Sequence, residues 1–100
     1  MDYTKIIDSG VCNIVMKGKF NFSDHLSFKA LFDVFDDSSV KAVQYDLRGV
    51  DFVDSAALGL LLLSLDEAKK ASKPLILIGP QGQVQKMFEI SRFYELFDIR

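Results

Sequence analysis

An acidic side chain stands directly before a hydroxyl at Asp54-Ser55, the pair of neighbours in this chain best suited to chemistry. Both residue types favour the first positions of a helix, because their side-chain oxygens accept hydrogen bonds from free backbone N–H groups. The same N–H groups and the positive end of the helix dipole also tolerate a phosphate. The pair therefore predicts either a plain helix cap or a cap that is also a phosphorylation site.

The other reactive side chains form no recognisable catalytic motif. His25 is the only histidine and is expected at the surface near a helix start, and Cys12 is the only cysteine, so no intramolecular disulfide can form. Ser55 lacks the Gly-x-Ser-x-Gly surroundings of a nucleophile elbow. No Cys/His cluster has zinc spacing, and the turn at residues 79–82 lacks the Lys-Ser/Thr of a phosphate-binding loop. We therefore expect no enzymatic activity, no metal site and no cofactor.

The composition limits the kind of molecule. The 100 residues, 49% of them apolar, suit a single domain over residues 1–100 with one buried core. The net charge is −2 with both signs interspersed, so nucleic acid is not an expected partner. The longest apolar run, Leu58 to Leu65, is far short of the roughly 20 residues that cross a bilayer, and no signal segment is visible. We therefore expect a cytoplasmic protein without a membrane partner.

Turn residues and apolar periodicity predict the elements that position the Asp-Ser pair. Ser23 is the expected N-cap of the first helix, and Arg48-Gly49 is expected to turn the chain out of the third strand. The predicted strands are 3–7, 11–16, 40–47, 74–78 and a short one within 96–99, and the predicted helices are 24–35, 55–71 and 83–90. The order ββαβαβαβ predicts an α/β sandwich, with a mixed, mostly parallel sheet on which the helices pack.

Leucines cover more than one side of the predicted second helix. The face expected to pack on the sheet consists of Leu58, Leu61, Leu62 and Leu65. Leu60 and Leu63 are expected to point away from it. There they form ordinary surface, pack on a neighbouring helix, or belong to a partner-binding patch, and the sequence leaves these three alternatives open.

The string from Asp46 to Gly59, DLRGVDFVDSAALG, resembles the signature of STAS domains, the family of bacterial anti-sigma factor antagonists. That signature reads approximately as a strand, then D-L-x-x-V-x-F-x-D-S with small residues and Leu, then a helix. A second string, GKFNFS from Gly18 to Ser23, is similar to the Gly-Arg-Phe-Asp-Phe-Ser string of single-domain proteobacterial members. The resemblance covers almost the whole chain and implies a STAS-like fold.

The resemblance implies a switch at Ser55, which matches the serine that an anti-sigma factor with serine-kinase activity phosphorylates from ATP. The dephosphorylated form would sequester that anti-sigma factor, phosphorylation would release it, and a PP2C-type phosphatase would restore binding. Asp54, Asn21 and Asp46 are expected to shape the acceptor site. The expected partner-binding residues are Phe22, Ser23, Asp24, Ala56, Gly59, Leu60 and Leu63. A monomer or weak dimer is expected.

Three positions depart from the family pattern. Ala56 stands where many relatives have a second Ser or Thr, which leaves Ser55 as the only hydroxyl acceptor in the string. Ala57 replaces the more common Gly and is expected to restrict the conformations that the helix start can adopt when it meets a kinase. Asn21 stands where relatives often have Asp, so one negative charge beside the predicted site is absent.

Two other functions stay open. The same fold could serve as a non-enzymatic scaffold or complex subunit, stressosome-like or part of a lipid-transport complex, in which Ser55 is never phosphorylated. A small enzyme that uses Ser55 belongs to a different class. The antagonist switched at Ser55 can be told apart from these two alternatives by incubation with ATP and lysate, followed by measurement of the intact mass. The switched antagonist is expected to gain a phosphate.

Overall fold

A computed structural model describes the whole chain, residues 1–100, and contains a five-stranded sheet with helices. The strands are β1 (Asp2–Asp8), β2 (Val11–Phe20), β3 (Ala42–Val53), β4 (Leu75–Ile78) and β5 (Asp98–Ile99). The helices are α1 (His25–Ala30), α2 (Ser55–Lys70), α3 (Gly82–Ile90) and α4 (Phe93–Leu96), with 3₁₀ turns at Phe22–Asp24 and Leu31–Asp36. The strands lie in chain order, β1 antiparallel to β2 and all other neighbours parallel. The predicted mixed, mostly parallel α/β sandwich is confirmed.

A tight hairpin joins the first two strands. Asp8 pairs with Val11, so only Ser9 and Gly10 form the loop. Both residues have positive φ, 53° and 83°, as the favoured two-residue hairpin turn requires. The strands predicted at 3–7 and 11–16 are therefore joined by a two-residue hairpin loop.

The core lies between one face of the sheet and the helices. The register aligns Ile14, Tyr45 and Leu77 across β2, β3 and β4, and all three side chains are fully buried. Phe28 of α1 meets the Tyr45 ring edge-on, with centroids 5.6 Å apart. The Tyr45 hydroxyl donates to Ser64 Oγ of α2 over 2.9 Å. Burial raises the pKa of Tyr45, so this hydroxyl stays protonated and joins β3 to α2.

The chain continues as strand through Arg48-Gly49, so the prediction that it turns there was wrong. β3 runs on to Val53 beside β2 and carries one more residue than β2 at each of two register shifts. At the first shift, Asp46 Oδ1 accepts a hydrogen bond from the Arg48 backbone N–H over 3.1 Å. A β-carbon at Gly49 would lie 2.9 Å from the Met16 carbonyl oxygen, which only glycine avoids. Bulges of this kind let a strand bend without ending.

The first helical region is less regular than the predicted helix over 24–35. Six residues of α helix lie between two 3₁₀ turns. Ser23 is not the N-cap: Asn21 Oδ1 accepts from the Ser23 backbone N–H over 3.0 Å, and Asp24 Oδ2 accepts from the Asn21 N–H over 3.0 Å. This reciprocal capping box starts the first turn at Asn21. The apolar periodicity over residues 24–35 did not indicate this change in helix type.

The buried face of α2 differs from the one that the leucine pattern predicted. Leu58 and Leu61 are buried as expected, but Leu62 is 42% exposed, so its predicted place on the buried face was wrong. Leu60 is only 5% exposed, which excludes ordinary surface among its three alternatives. The best covered positions of α2 recur at helical spacing and are Ala57, Leu61, Ser64 and Ala68. The leucine pattern alone predicted the wrong orientation of the helix, because small and polar residues form much of its covered face.

The C-terminal residues form a short helix before the last strand. The strand predicted within 96–99 is confined to two residues, and α4 precedes it. Phe88, Phe93 and Phe97 stack in succession, with ring centroids 5.0 and 4.9 Å apart, which attaches this end to the core. None of the helices combines the length and the apolarity that a membrane crossing requires.

The Tyr45–Ser64 contact is expected to contribute to stability. Tyr45→Phe removes one buried hydrogen bond and keeps the ring, and Ser64 still donates to the Leu60 carbonyl. We expect a loss of about 1 kcal/mol in the free energy of unfolding, measured with urea. Tyr94→Phe, at a tyrosine that is 45% exposed, is the control and is expected to change almost nothing. Equal effects of the two changes would contradict the assignment.

Candidate functional site

Ser55 opens α2 at the surface of the domain. It is the first residue of the helix, which confirms the predicted start at residue 55, and it is exposed. Asp54 precedes it in an extended conformation, and its Oδ1 accepts a hydrogen bond from the Ala57 backbone N–H over 2.8 Å. Ser55 therefore lies in the turn where backbone N–H groups lack carbonyl partners within the helix and where the dipole is positive.

The Asp54 carboxylate also holds a second segment. Its Oδ2 accepts from the Phe22 backbone N–H over 3.1 Å, and the Asp54 backbone N–H is 3.4 Å from the Phe20 carbonyl oxygen. One side chain thus bridges the start of α2 and the 3₁₀ turn at Phe22–Asp24. This turn directly precedes α1, so the bridge sets where α1 begins relative to Ser55.

Phe22 is an exposed aromatic side chain held in a defined place. It is 64% exposed, and the His25 ring stacks on it with centroids 4.7 Å apart and an interplanar angle of 12°. His25 Nδ1 lies 2.9 Å from the Phe22 carbonyl oxygen, so this nitrogen is the donor, because a carbonyl can only accept. With the Asp54 contact, both backbone polar groups of Phe22 are occupied.

A groove of about 270 Å³ lies beside the serine, between α1 and α2, and is called here the α1–α2 groove. Its lining consists of Phe22, His25, Lys29, Ala56, Gly59, Leu60 and Leu63. Five of the seven residues proposed from sequence for partner binding line it: Phe22, Ala56, Gly59, Leu60 and Leu63. Leu63 is 46% exposed, whereas Leu60 reaches the groove from the buried side of α2.

The other two proposed partner-binding residues lie on the 3₁₀ turn at one end of the groove. Ser23 is exposed, and its backbone N–H and hydroxyl both donate to Asn21 Oδ1. Asp24 is half-buried and accepts the Asn21 N–H. Asn21 itself, proposed to shape the acceptor site, thus organises the turn that Asp54 holds against α2.

Asp46 has a different set of contacts from the rest of the proposed site. Its carboxylate forms an ion pair with Arg48 over 2.7 Å, and all its side-chain hydrogen bonds go to Arg48. The Arg48 hydrogen bonds hold the pKa of Asp46 below its usual range. No hydrogen bond joins Asp46 to Asp54 or Ser55, so a role of Asp46 in shaping the acceptor site stays a prediction. No group of three acidic, His or Cys side chains is placed to hold a metal ion.

Sequence reasoning missed three residues around the site. His25 and Lys29 line the groove, and their spacing from Phe22, three and seven residues, is a helical-face signal that could have found them. The role of Gln83 of α3 could not have been inferred from the sequence. Its side-chain amide accepts from the Val53 N–H and donates to the Val53 carbonyl, each over 2.9 Å. This pair fixes the end of β3 one residue before Asp54.

Comparison with known proteins identifies the family. Residues 4–100 match the family profile of the STAS domain. This chain belongs to the STAS domain family. A STAS-domain-containing protein of Pseudomonas aeruginosa is 33% identical over 94 residues, which cover 92% of this chain and 90% of that protein. The resemblance inferred from the Asp46–Gly59 string is confirmed.

Solved structures with low sequence identity share the fold of this STAS domain. A Thermotoga maritima protein, described as a candidate anti-sigma factor antagonist, has a TM-score of 0.88 at 19% identity, over 97% of this chain and 84% of that one. The anti-sigma factor antagonist SpoIIAA, unphosphorylated, has a TM-score of 0.76 at 16% identity, over 99% and 87%. The Bacillus cell-fate determinant SpoIIAA is also known in a phosphorylated form, with a TM-score of 0.75 at 17% identity, over 99% and 91%.

The same fold occurs outside the antagonists. A sulfate transporter family protein of Wolinella succinogenes has a TM-score of 0.78 at 22% identity, over 92% of this chain and 75% of that one. Because these likenesses concern the fold, the function of this STAS domain has to be argued from its site.

Asp54→Ala is expected to loosen both segments that the carboxylate holds. Loss of the cap and of the Phe22 contact should lower the free energy of unfolding by about 1–2 kcal/mol and speed amide hydrogen exchange at Phe22 and Ala57. Asp51→Ala, at an exposed acid three residues earlier, is the matched control and should leave both measurements unchanged. Unchanged exchange at Phe22 in Asp54→Ala would show that the turn is held by other contacts.

Proposed function

We propose that this STAS domain is an anti-sigma factor antagonist whose binding is switched at Ser55. In the dephosphorylated form it sequesters an anti-sigma factor that has serine-kinase activity. That kinase transfers the γ-phosphoryl group of ATP to Ser55 Oγ and leaves ADP, and the complex then dissociates. A PP2C-type phosphatase hydrolyses the phosphoserine and restores binding. The observation that carries the proposal is the position of Ser55, exposed at the start of α2 and next to the α1–α2 groove.

A phosphate on Ser55, at the start of α2, is expected to leave the fold intact and to weaken binding. A phosphoserine there carries a charge of about −1.5 to −2 at pH 7. The free N–H groups and the dipole of α2 accommodate that charge, so the domain stays folded. In a complex, the same charge would have to be desolvated inside the contact. The switch therefore acts on the interface.

The effect of the phosphate requires the partner to cover the surface around Ser55. Exposed charges are screened over roughly 8–10 Å in saline, so a distant phosphate would leave a tight complex intact. Ala56, the next residue, lines the groove, and Phe22 displays apolar surface there. These apolar side chains would supply affinity, and the phosphate would oppose their desolvation.

The domain itself needs no catalytic group in this cycle. The partner supplies the ATP site and the phosphoryl transfer, and the STAS domain supplies an acceptor hydroxyl on a rigid helix. The role is that of a binding module, in the cytoplasm, where sigma factors act. SpoIIAA, known in unphosphorylated and phosphorylated forms, supports the proposal as a protein of the same fold.

Substitutions at Ser55 test the switch. Ser55→Ala should abolish phosphorylation and keep binding, whereas Ser55→Asp should weaken binding on the order of tenfold, because Asp carries about half the charge of a phosphate. Intact mass after incubation with ATP and lysate measures the first effect, and calorimetry with the purified kinase measures the second. Ser72→Asp is the control, because it lies beyond the other end of α2, roughly 25 Å away along the helix.

Two results would contradict the switch. Equal affinities of wild type, Ser55→Ala and Ser55→Asp would place the contact elsewhere. Wild type that gains no phosphate from any lysate fraction would favour the alternative of a scaffold or complex subunit that phosphorylation does not regulate.

Neighbouring leucines test whether the partner covers the groove. Leu63 and Leu62 are exposed to similar degrees, 46% and 42%, but only Leu63 lines the groove. Leu63→Glu should weaken binding at least tenfold, about 1.4 kcal/mol, and Leu62→Glu should leave it unchanged, with both variants melting near wild type. Leu60 is unsuitable for this test because its burial would make Leu60→Glu unfold the domain. Equal binding of the two variants would reject this docking surface.

A further inference from the structure

Gly59 lies inside α2, where the isolated domain has no need of a glycine. Its φ is not positive, and a β-carbon added there would meet no atom within 4 Å. A glycine within a helix costs roughly 0.5–1 kcal/mol relative to alanine. The free domain would therefore be more stable with Ala at this position, and no contact within the domain explains the glycine.

The open space above Gly59 is the α1–α2 groove. On the α2 side, the lining residues Ala56, Gly59, Leu60 and Leu63 follow the i, i+3, i+4, i+7 spacing of a helix-packing stripe. On the other side, Phe22, His25 and Lys29 are spaced by three and four residues. A groove between two such stripes has the shape that a third helix fills by ridges-into-grooves packing. The missing β-carbon would let the backbone of that helix approach closely.

The charges on the groove restrict its occupant. Lys29 and His25 are the only basic residues in the lining, and no carboxylate lines it. Neither of them takes part in an ion pair within the chain. An occupant with an apolar stripe and a carboxylate would therefore match the groove in both polarity and charge.

We propose that the α1–α2 groove receives an amphipathic helix of the anti-sigma factor partner. That helix packs its apolar stripe over Gly59 and places an Asp or Glu carboxylate against Lys29. This inference rests on the proposed function and adds the element of the partner that docks and its chemistry. Ser55 lies next to Ala56 at one end of the groove, so a phosphate there would have to be desolvated where this helix docks.

Gly59→Ala tests the close approach, with the purified kinase that phosphorylates Ser55 as the probe. The variant is expected to raise the melting temperature of the free domain by a few degrees and to weaken binding about tenfold. Gly59→Leu should abolish binding while the free domain stays folded. Opposite changes in stability and affinity rule out unfolding as the cause of weaker binding. Unchanged affinity for both variants would overturn the proposal.

Cross-linking tests the carboxylate. A water-soluble carbodiimide condenses the Lys29 amine with a carboxylate in contact with it, giving an amide and taking up the water. Mass spectrometry should then find Lys29 joined to an Asp or Glu within a helix of the kinase. Lys29→Arg keeps the positive charge but has no primary amine, so it should give no such product. Lys69, exposed at the far end of α2, is the internal control and should not cross-link.

The outcomes separate this inference from the proposed function. Cross-links from Lys29 to a second copy of this chain would assign the groove to a dimer and overturn the inference. If Ser55→Asp blocks kinase binding while the Gly59 variants bind normally, the switch stands and the docked helix is rejected. If wild type binds no anti-sigma factor, the proposed function fails and this inference fails with it.

Discussion

The Asp54 carboxylate is the contact on which the arrangement of the site depends. One oxygen accepts the Ala57 N–H, which starts α2, and the other accepts the Phe22 N–H, which holds the turn before α1. The two hydrogen bonds join segments more than thirty residues apart in sequence. Without them, the two sides of the α1–α2 groove would be connected only through the hydrophobic core and the pairing of β2 with β3 up to Phe20 and Val53.

Several weaker constraints bring Asp54 to this place. β3 keeps its pairing with β2 over its full length by taking up an extra residue at two register shifts. The Gln83 amide then occupies both polar groups of Val53, the last residue of the strand. A buried backbone segment left unpaired would cost free energy, so this side chain replaces a neighbouring strand where β4 has already ended. The position of the serine is therefore a property of the sheet and of α3 as much as of α2.

Features of the fold governed by local sequence were predictable, and those governed by distant contacts were not. The start of α2 at Ser55 follows from Asp54 as a cap, and the hairpin follows from Ser9-Gly10. The length of β3 was missed because its pairing partner, β2, lies far away in sequence. The orientation of α2 was misjudged because buried Ala57 and Ser64 look like surface residues in a sequence dominated by leucine.

The candidate site divides in the same way. Most of the groove lining was accessible from the family resemblance, because it lies beside the recognisable string. His25 was treated as an isolated surface residue, and its stacking on Phe22 depends on a 3₁₀ turn that no periodicity indicated. Gln83 acts from thirty residues away through hydrogen bonds to a backbone, and such a pair leaves no pattern in sequence.

The exposed position of Ser55 at a rigid helix end has a consequence for the timing of the proposed switch. Adding or removing a phosphate there demands no rearrangement of the strand, the cap or the core. The two states would then differ in surface charge and share one shape. Such a device has no slow relaxation of its own and no memory of its previous state. Its response time would be set by the two enzymes that act on it, and the output would follow the ratio of their activities.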